Sequence, residues 1–469
     1  MRSVGLFLTV FVLALVFPLS TQAARPLPVW SPHMQAAPAC TRYVAADGSD
    51  TNPGTQDRPW TTLQMASDSA RPSDVICIGA GTYIPEGGDW IITRPGSADQ
   101  PVTYTTYNGP VTIRGTVLIE PGASHVRLAG FTITGFRVWG MSVAGVEDVV
   151  LSGLDISGGE AGIRFTVSLE GDEAPVSRVT IEDSLIHDAL YTGVDCTPGP
   201  CNDMIFRRLE ISGGGQGNAD FGADGLGLER GQNILVEDCY IHDNSGDGID
   251  LNSRDMMRGD LSGTVIVRRN RVENNLRNGI KVWRGGEVAN NVVWNSGDTL
   301  LVVEQDSEYT ITHNTFVSLN GYNYLAVIGY DEVAGSTTRV TLYNNVFANH
   351  DPAMGGTMLY VSPNVTLDAG NNLFYNPYRE DDVICIGDAC FSAEQINDGT
   401  YATQMGHGPS LYGDPLFLDV VTGDFRLSAG SPAIDAASAD YAVDDDLAGE
   451  MRPQGRAADL GAYEVRPGR

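Results

Sequence analysis

A four-residue phrase recurs through the middle of this chain: glycine, an aliphatic residue, a variable residue, then an apolar or ring-bearing one. It reads GMSV at 140–143, GIRF at 162–165, GVDC at 193–196, GLGL at 225–228, GIDL at 248–251 and GIKV at 279–282. The variable position runs Ser142, Arg164, Asp195, Gly227, Asp250, Lys281, at intervals of 22, 31, 32, 23 and 31 residues. A repeat of this length is one structural unit that buries its apolar face against the next. The variable column then lies along one outer face of a stack of coils.

A second set of phrases interleaves with the first: RVTIEDSLI (178–186), DMIFRRLEI (203–211), NILVEDCYI (233–241), TVIVRRNRV (264–272), YTITHNTF (309–316) and RVTLYNNVF (339–347). Each alternates apolar and polar residues, bends, and offers a further apolar residue, which is the period-two signature of short strands. Stacking such coils with each strand paired to its equivalent gives an all-β fold, a right-handed parallel β-helix, with coils about 4.8 Å apart. Asn270, Asn291, Asn314, Asn345 and Asn372 share one register just after a strand, and an asparagine ladder is expected there. The leucine-rich solenoid spacing is absent, and propeller blades have a longer period.

Many glycines (55) and few charged residues (19%) suit turn-rich β structure rather than long helices. Four segments are expected. Residues 1–24, with Arg2 before an apolar run at 5–17 and Ala23-Ala24 at its end, read as a secretory signal. Residues 25–99 form a lead-in, a capping helix around 60–70 and the first coil; 100–380 the β-helix; 381–469 a segment that closes the last coil, because open coil ends expose apolar side chains and strand edges. The acidic run Asp444–Asp446 reads as a solvated turn. Seven cysteines fit an exported protein. Cys196 with Cys201, Cys385 with Cys390 and Cys40 with Cys77 are the expected staples, and Cys239 is expected as a buried free thiol. No membrane span is expected in the mature chain, and a monomer is. The net charge of −30 argues against nucleic acid as a partner. An acidic polymer as substrate then needs a metal ion or a local basic cluster to mediate.

In the column, Asp250 and Lys281 fall on adjacent coils, with Cβ atoms about 5 Å apart. Asp247-Gly248 aligns with Asp224-Gly225 one coil earlier, so three carboxylates converge from two coils. Bare acids at that spacing repel. A divalent cation removes the cost, and all-oxygen ligands on turns suit Ca²⁺. Asp195, two coils before Asp250, is a candidate outer carboxylate. Lys281 is the sole lysine of the chain, the remaining basic residues among its 29 Lys and Arg being arginines. Arginine does not deprotonate usefully, whereas lysine can when its surroundings lower its pKa.

The motifs ADG (223–225), NSGDGID (244–250) and NGIK (278–281), in that order on consecutive coils, resemble those of the family 9 polysaccharide lyases, pectate lyases with a right-handed β-helix. The resemblance implies Asp224, Asp247 and Asp250 as Ca²⁺ ligands and Lys281 as the Brønsted base of a β-elimination. Gly246 stands where that family has the first Asp of a pair, so one ligand is absent; water or Asp195 is expected in its place. Arg284 and Arg254 are candidate partners of the substrate carboxylate or oxyanion. Arg164, Glu229 and Trp283 are candidate substrate contacts.

The expected activity is cleavage of a uronic-acid polysaccharide, pectate first. Its rivals are a β-helix glycoside hydrolase, for which Asp224, Asp247 and Asp250 supply acids, a uronate C5-epimerase, and a non-catalytic glycan-binding surface protein. No DPHD-like phrase of an epimerase is present, and GHG at 406–408 lies outside the coils.

Overall fold

The computed structural model describes residues 39–168, 171–197, 199–215, 223–251, 261–283, 285–303, 307–319, 324–329 and 337–466. Residues 1–24, read above as a secretory signal, and Arg254 and Arg284 lie outside the described residues. None of the helices described is long and apolar enough to cross a membrane.

Before Val126 a single long strand (Val75–Tyr83, then Val102–Arg114) takes the place of the first two; from there to Ile386 each coil contributes three short strands. In one coil these are Gly231–Glu237, Tyr240–His242 and Ile249–Leu251. Each pairs in parallel with its equivalent one coil on: Leu261–Arg268, Arg271–Glu273 and Ile280–Val282. The inward residues of that coil, Ile234, Val236, Ile241, Ile249 and Leu251, are fully buried. Farther along, Phe316, Phe347 and Phe374 stack with ring centroids 5.1 Å apart at each step, the coil spacing read from side chains.

The bend between the first and second strands is a left-handed residue followed by an inward one: Ser184, Leu209 and Cys239 in the earlier coils, asparagine from Asn270 on. Asp183, Arg208, Asp238, Arg269, Asn290, His313, Asn344 and Asn371 all have φ between 49° and 62°. Asp and Asn tolerate this region best. The arginines there are held by the same column one coil earlier, Arg208 bonding Asp183 at 2.7 Å and Arg269 bonding Asp238 at 2.7 Å. The next residue builds the expected ladder. The amides of Asn270, Asn291, Asn314 and Asn345 each donate to Oδ1 of the next asparagine at 3.0 Å, ending on Asn372. Cys239 precedes Asn270 in this column, and its N–H donates to Asn270 Oδ1 at 3.0 Å. It is the free cysteine, and burial pushes its thiol up to about 12. The three expected disulfides are present.

Parallel pairing starts earlier and ends later than the 100–380 span. Arg42–Val44 pairs with Ile76–Ile78, and Leu411–Tyr412 adds to the last coils. The first cap is the helix Leu63–Ser69. Thr62 Oγ1 accepts from Met65 N at 3.1 Å at its N-terminus, and Leu63 and Ala66 enter the core. At the far end, the short helices Ala393–Asn397 and Thr400–Met405 bring Ile396 and Tyr401 into the same core.

The remaining C-terminal segment does not close the end. It runs back along the side of the helix, with Phe425 and Ala462 against Val292, Trp294, Val317 and Ala348, and Leu427, Ala433 and Leu460 against Val346 and Leu373. Two small helices already cover the last coil, whereas the outward Val292 and Val346 need cover of their own. The left-handed column fastens this strap: Asn290 Nδ2 donates to Asp445 O at 2.7 Å, Asn344 Nδ2 to Ser438 O at 3.1 Å and Asn371 Nδ2 to Ala436 O at 3.0 Å. The expected solvated turn at Asp444–Asp446 holds for the exposed Asp444 but not for Asp446. Asp446 is buried and accepts from the N–H groups of Ala448, Glu450 and Glu464, and Asp445 faces Arg269 at 3.4 Å.

Candidate active site

The variable column forms in the expected register. Arg164 pairs with Asp195, Asp195 with Gly227, Gly227 with Asp250, Asp250 with Lys281, and Lys281 with Val302. The glycine before each strand is required by close approach rather than by turn conformation. A Cβ on Gly248 would lie 2.7 Å from Gly279 O and 2.5 Å from Val272 Cγ1. The residues preceding these glycines make a second column, Asp224, Asp247, Asn278, whose backbone is tied coil to coil: Gly225 N to Asp247 O at 2.9 Å and Gly248 N to Asn278 O at 2.9 Å.

Two columns therefore meet at one spot. Asp224, Asp247 and Asp250 each place a carboxylate oxygen within 4.8 Å of the others. Asp224 Oδ1 accepts from Asp247 N at 2.7 Å. Asp247 is buried, and its Oδ1 accepts from the backbone and side-chain nitrogens of Asn278 at 2.8 and 2.9 Å. Lys281 Nζ donates to Asp247 Oδ2 at 3.1 Å and Asp250 Oδ2 at 3.3 Å, and lies 5.5 Å from the centre of the Trp283 ring. Asp250 Oδ1 is buried, with no hydrogen-bond partner among the described residues.

The electrostatics follow from this crowding. Burial, then the neighbouring charges of Asp250 and Asp247, raise Asp224 well above the carboxylate range. Burial pushes Asp250 up to about 7 although Lys281 works against it. Burial opposes charge on Lys281, but Asp250 and Asp247 outweigh it and raise its pKa. Left to itself, the acid cage therefore holds Nζ as an ammonium, the opposite of the lowering expected for a base.

Asp195 does not join the three acids. It faces Arg164, with Nε and Oδ2 3.9 Å apart, and burial raises its pKa although Thr197 and Arg164 act to lower it. Arg164 is itself occupied: Nη2 donates to Thr197 O at 3.2 Å, and its guanidinium lies 5.2 Å from the centre of the Trp139 ring. Glu229 follows the strand Leu226–Leu228, and its charge adds to the field on Asp250. Trp283 Nε1 is buried, without a hydrogen-bond partner among the described residues. Asn278 was not anticipated, although its place before Gly279 matches that of Asp224 and Asp247 before their glycines. Nor was the pair beneath the turn, where Asn244 Nδ2 donates to Asn275 Oδ1 at 2.9 Å.

A family described as the right handed beta helix region matches residues 134–316. The uncharacterized protein YwoF of Bacillus subtilis (strain 168) is 24% identical over 444 residues, covering 83% of this chain and 91% of that protein. Pectate lyase PEL9 of Emericella nidulans is 39% identical over 67 residues, 14% of this chain and 16% of that one. Among solved structures, XylC in complex with xylose superposes with a TM-score of 0.51 at 11% identity, covering 90% of this chain and 98% of that one. Pectate lyase Pel9A superposes with a TM-score of 0.46 at 14% identity, covering 91% and 97%. Likeness at these identities concerns the fold, and with the strand register above it makes this chain a right-handed parallel β-helix protein.

Proposed function

We propose that this chain is a secreted polysaccharide lyase that cleaves a uronate-containing glycan, pectate first, by β-elimination with Lys281 as the base and with Ca²⁺ as cofactor. The observation that carries the reading is the sole lysine held at 3.1 and 3.3 Å by two of three clustered acids. The local similarity to a pectate lyase agrees with it.

The donor set fits a hard cation. It is all oxygen, it gathers three acids, and it includes a buried oxygen on Asp250 that has no partner among the described residues. Asp224, Asp247 and Asp250 are the residues that would hold the ion. When bound, a divalent cation supplies charge neutralisation for the carboxylate next to the reacting carbon.

The chain's own residues do the rest. Asn278 fixes Asp247 by two hydrogen bonds, and Asp247 and Asp250 fix Nζ, so the amine is positioned before substrate arrives. In its neutral form Nζ takes the proton at C5, α to the uronate carboxylate; the C5 electron pair forms the 4,5 double bond as the C4–oxygen bond breaks, and the departing oxygen keeps that bond's pair and takes a proton from water. Because the bare acids favour the ammonium, compensating their charge is a condition for that neutral form. The tight cluster also disfavours an inverting hydrolase, whose carboxyls stand about 6.5–9.5 Å apart to admit a water.

The test is a panel of uronic-acid polysaccharides read by near-ultraviolet absorbance of the unsaturated product. Absorbance is expected on at least one polymer, abolished by a calcium chelator and restored by added Ca²⁺. Product formation indifferent to the chelator would remove the metal from the reading, and silence on every uronate would remove the lyase.

A further inference from the structure

Arg277 lies one residue before Asn278, on the coil of Lys281. Its N–H donates to Gly246 O at 3.1 Å, so it stands directly over Gly246 in the stack. Its side chain is exposed, and among the described residues its guanidinium makes no hydrogen bond or ion pair. On the following coil Asp298 occupies the same column, with Asp298 N donating to Arg277 O at 3.0 Å; it too is exposed and forms no ion pair with Arg277. Arg164, by contrast, is committed to Asp195 and Thr197.

Gly246 explains why Arg277 is left over. A Cβ at 246 would lie 2.4 Å from Asp224 Oδ1 and 2.7 Å from two backbone atoms of Ala223. The space beside the turn is filled by the Asp224 carboxylate, bonded to Asp247 N. No acid can therefore grow from 246, the position about 4.8 Å below Arg277 where it would neutralise the guanidinium. Next to three clustered acids on a strongly acidic chain, an uncommitted guanidinium has an obvious complement in an incoming anion. Its planar fork matches a carboxylate with two parallel hydrogen bonds.

We propose that Arg277 is a specificity-determining residue that binds the free carboxylate of a uronate sugar seated over the acid cluster, so that unesterified uronates are the preferred substrate class. The inference rests on the lyase reading above.

The experiment measures binding rather than turnover. Calorimetric titration in calcium-containing buffer compares oligomers of galacturonate, mannuronate, guluronate and glucuronate with their methyl esters. The proteins are Lys281→Ala and Lys281→Ala/Arg277→Gln, neither expected to turn substrate over. The single variant is expected to prefer one acid oligomer to its ester. Adding Arg277→Gln is expected to weaken that oligomer about tenfold, leave the ester unchanged and so erase the preference. If the preference survives Arg277→Gln, Arg277 is not the recognising group, while the lyase reading stands. If the single variant prefers no acid oligomer to its ester, the uronate reading falls, and this inference with it.

Discussion

Side chains in this protein act through neighbours on their own coil and one coil away, and His242 shows the consequence. Its Nδ1 is 2.8 Å from Asp243 Oδ2, its Nε2 3.5 Å from Glu210 Oε1 on the previous coil, and its ring stacks on Tyr240 at 4.0 Å. Burial disfavours its charge, but the Asp243 and Glu210 carboxylates prevail and push its pKa up from 6.5 to about 9. A raised histidine pKa contributes stability that is complete below the unfolded value and is lost as pH rises through the folded one. His242→Gln should therefore destabilise the protein at pH 6, by of order 1 kcal/mol once solvent screening around the exposed Asp243 is allowed for. That difference should shrink between pH 6.5 and about 9. Urea unfolding of both proteins across this range checks it; a difference independent of pH would show that stacking on Tyr240, not charge, is what the histidine contributes. The same dependence on neighbours explains which site residues were legible. Lys281 and the three acids follow from register alone. Asp195 shares their column, but Arg164 one coil earlier claims it, and a column of letters does not reveal which neighbour a side chain turns to.

Among the elements, the asparagine ladder is where sequence and structure agree most closely. One residue type recurring in one register has a single physical use: an inward amide that satisfies the backbone at every bend. Asn314 sits mid-ladder. Its amide donates to Val288 O at 2.7 Å, Thr312 O at 3.1 Å and Asn345 Oδ1 at 3.0 Å, and its Oδ1 accepts from Asn291 N at 2.9 Å. Asn314→Ala strands several of these buried partners, each worth roughly 1–3 kcal/mol when left unmade, so a loss of about 2–4 kcal/mol is expected. The urea midpoint should fall with the slope unchanged. A midpoint at the wild-type value would mean that water replaces the amide and that the ladder is not structural. The C-terminal strap was not legible in this way. Its apolar residues, Phe425, Leu427 and Leu460, require burial, but nothing in their spacing chooses the flank of the helix over its end. That choice is made by the outward faces of Val292 and Val346 and by the polar tips of Asn290, Asn344 and Asn371, which belong to other coils.

For the molecule as a whole, stacking converts sequence distance into spatial order. Residues 224, 247, 250 and 281 reach one spot because each coil adds a fixed rise, whatever the length of the loops between. A chain with net charge −30 has set its one lysine against three clustered acids, on the coil of an arginine whose guanidinium has no partner among the described residues. The central claim is that this lysine takes the proton. Lys281→Arg tests it most directly, because it keeps the positive charge between Asp247 and Asp250 while removing the ability to deprotonate. The measurement is the rate of unsaturated-product absorbance on the polymer the wild type cleaves, with far-ultraviolet dichroism confirming the fold. A fall of about 10²–10⁴-fold is expected; a rate within a few-fold of wild type would show that another group takes the proton.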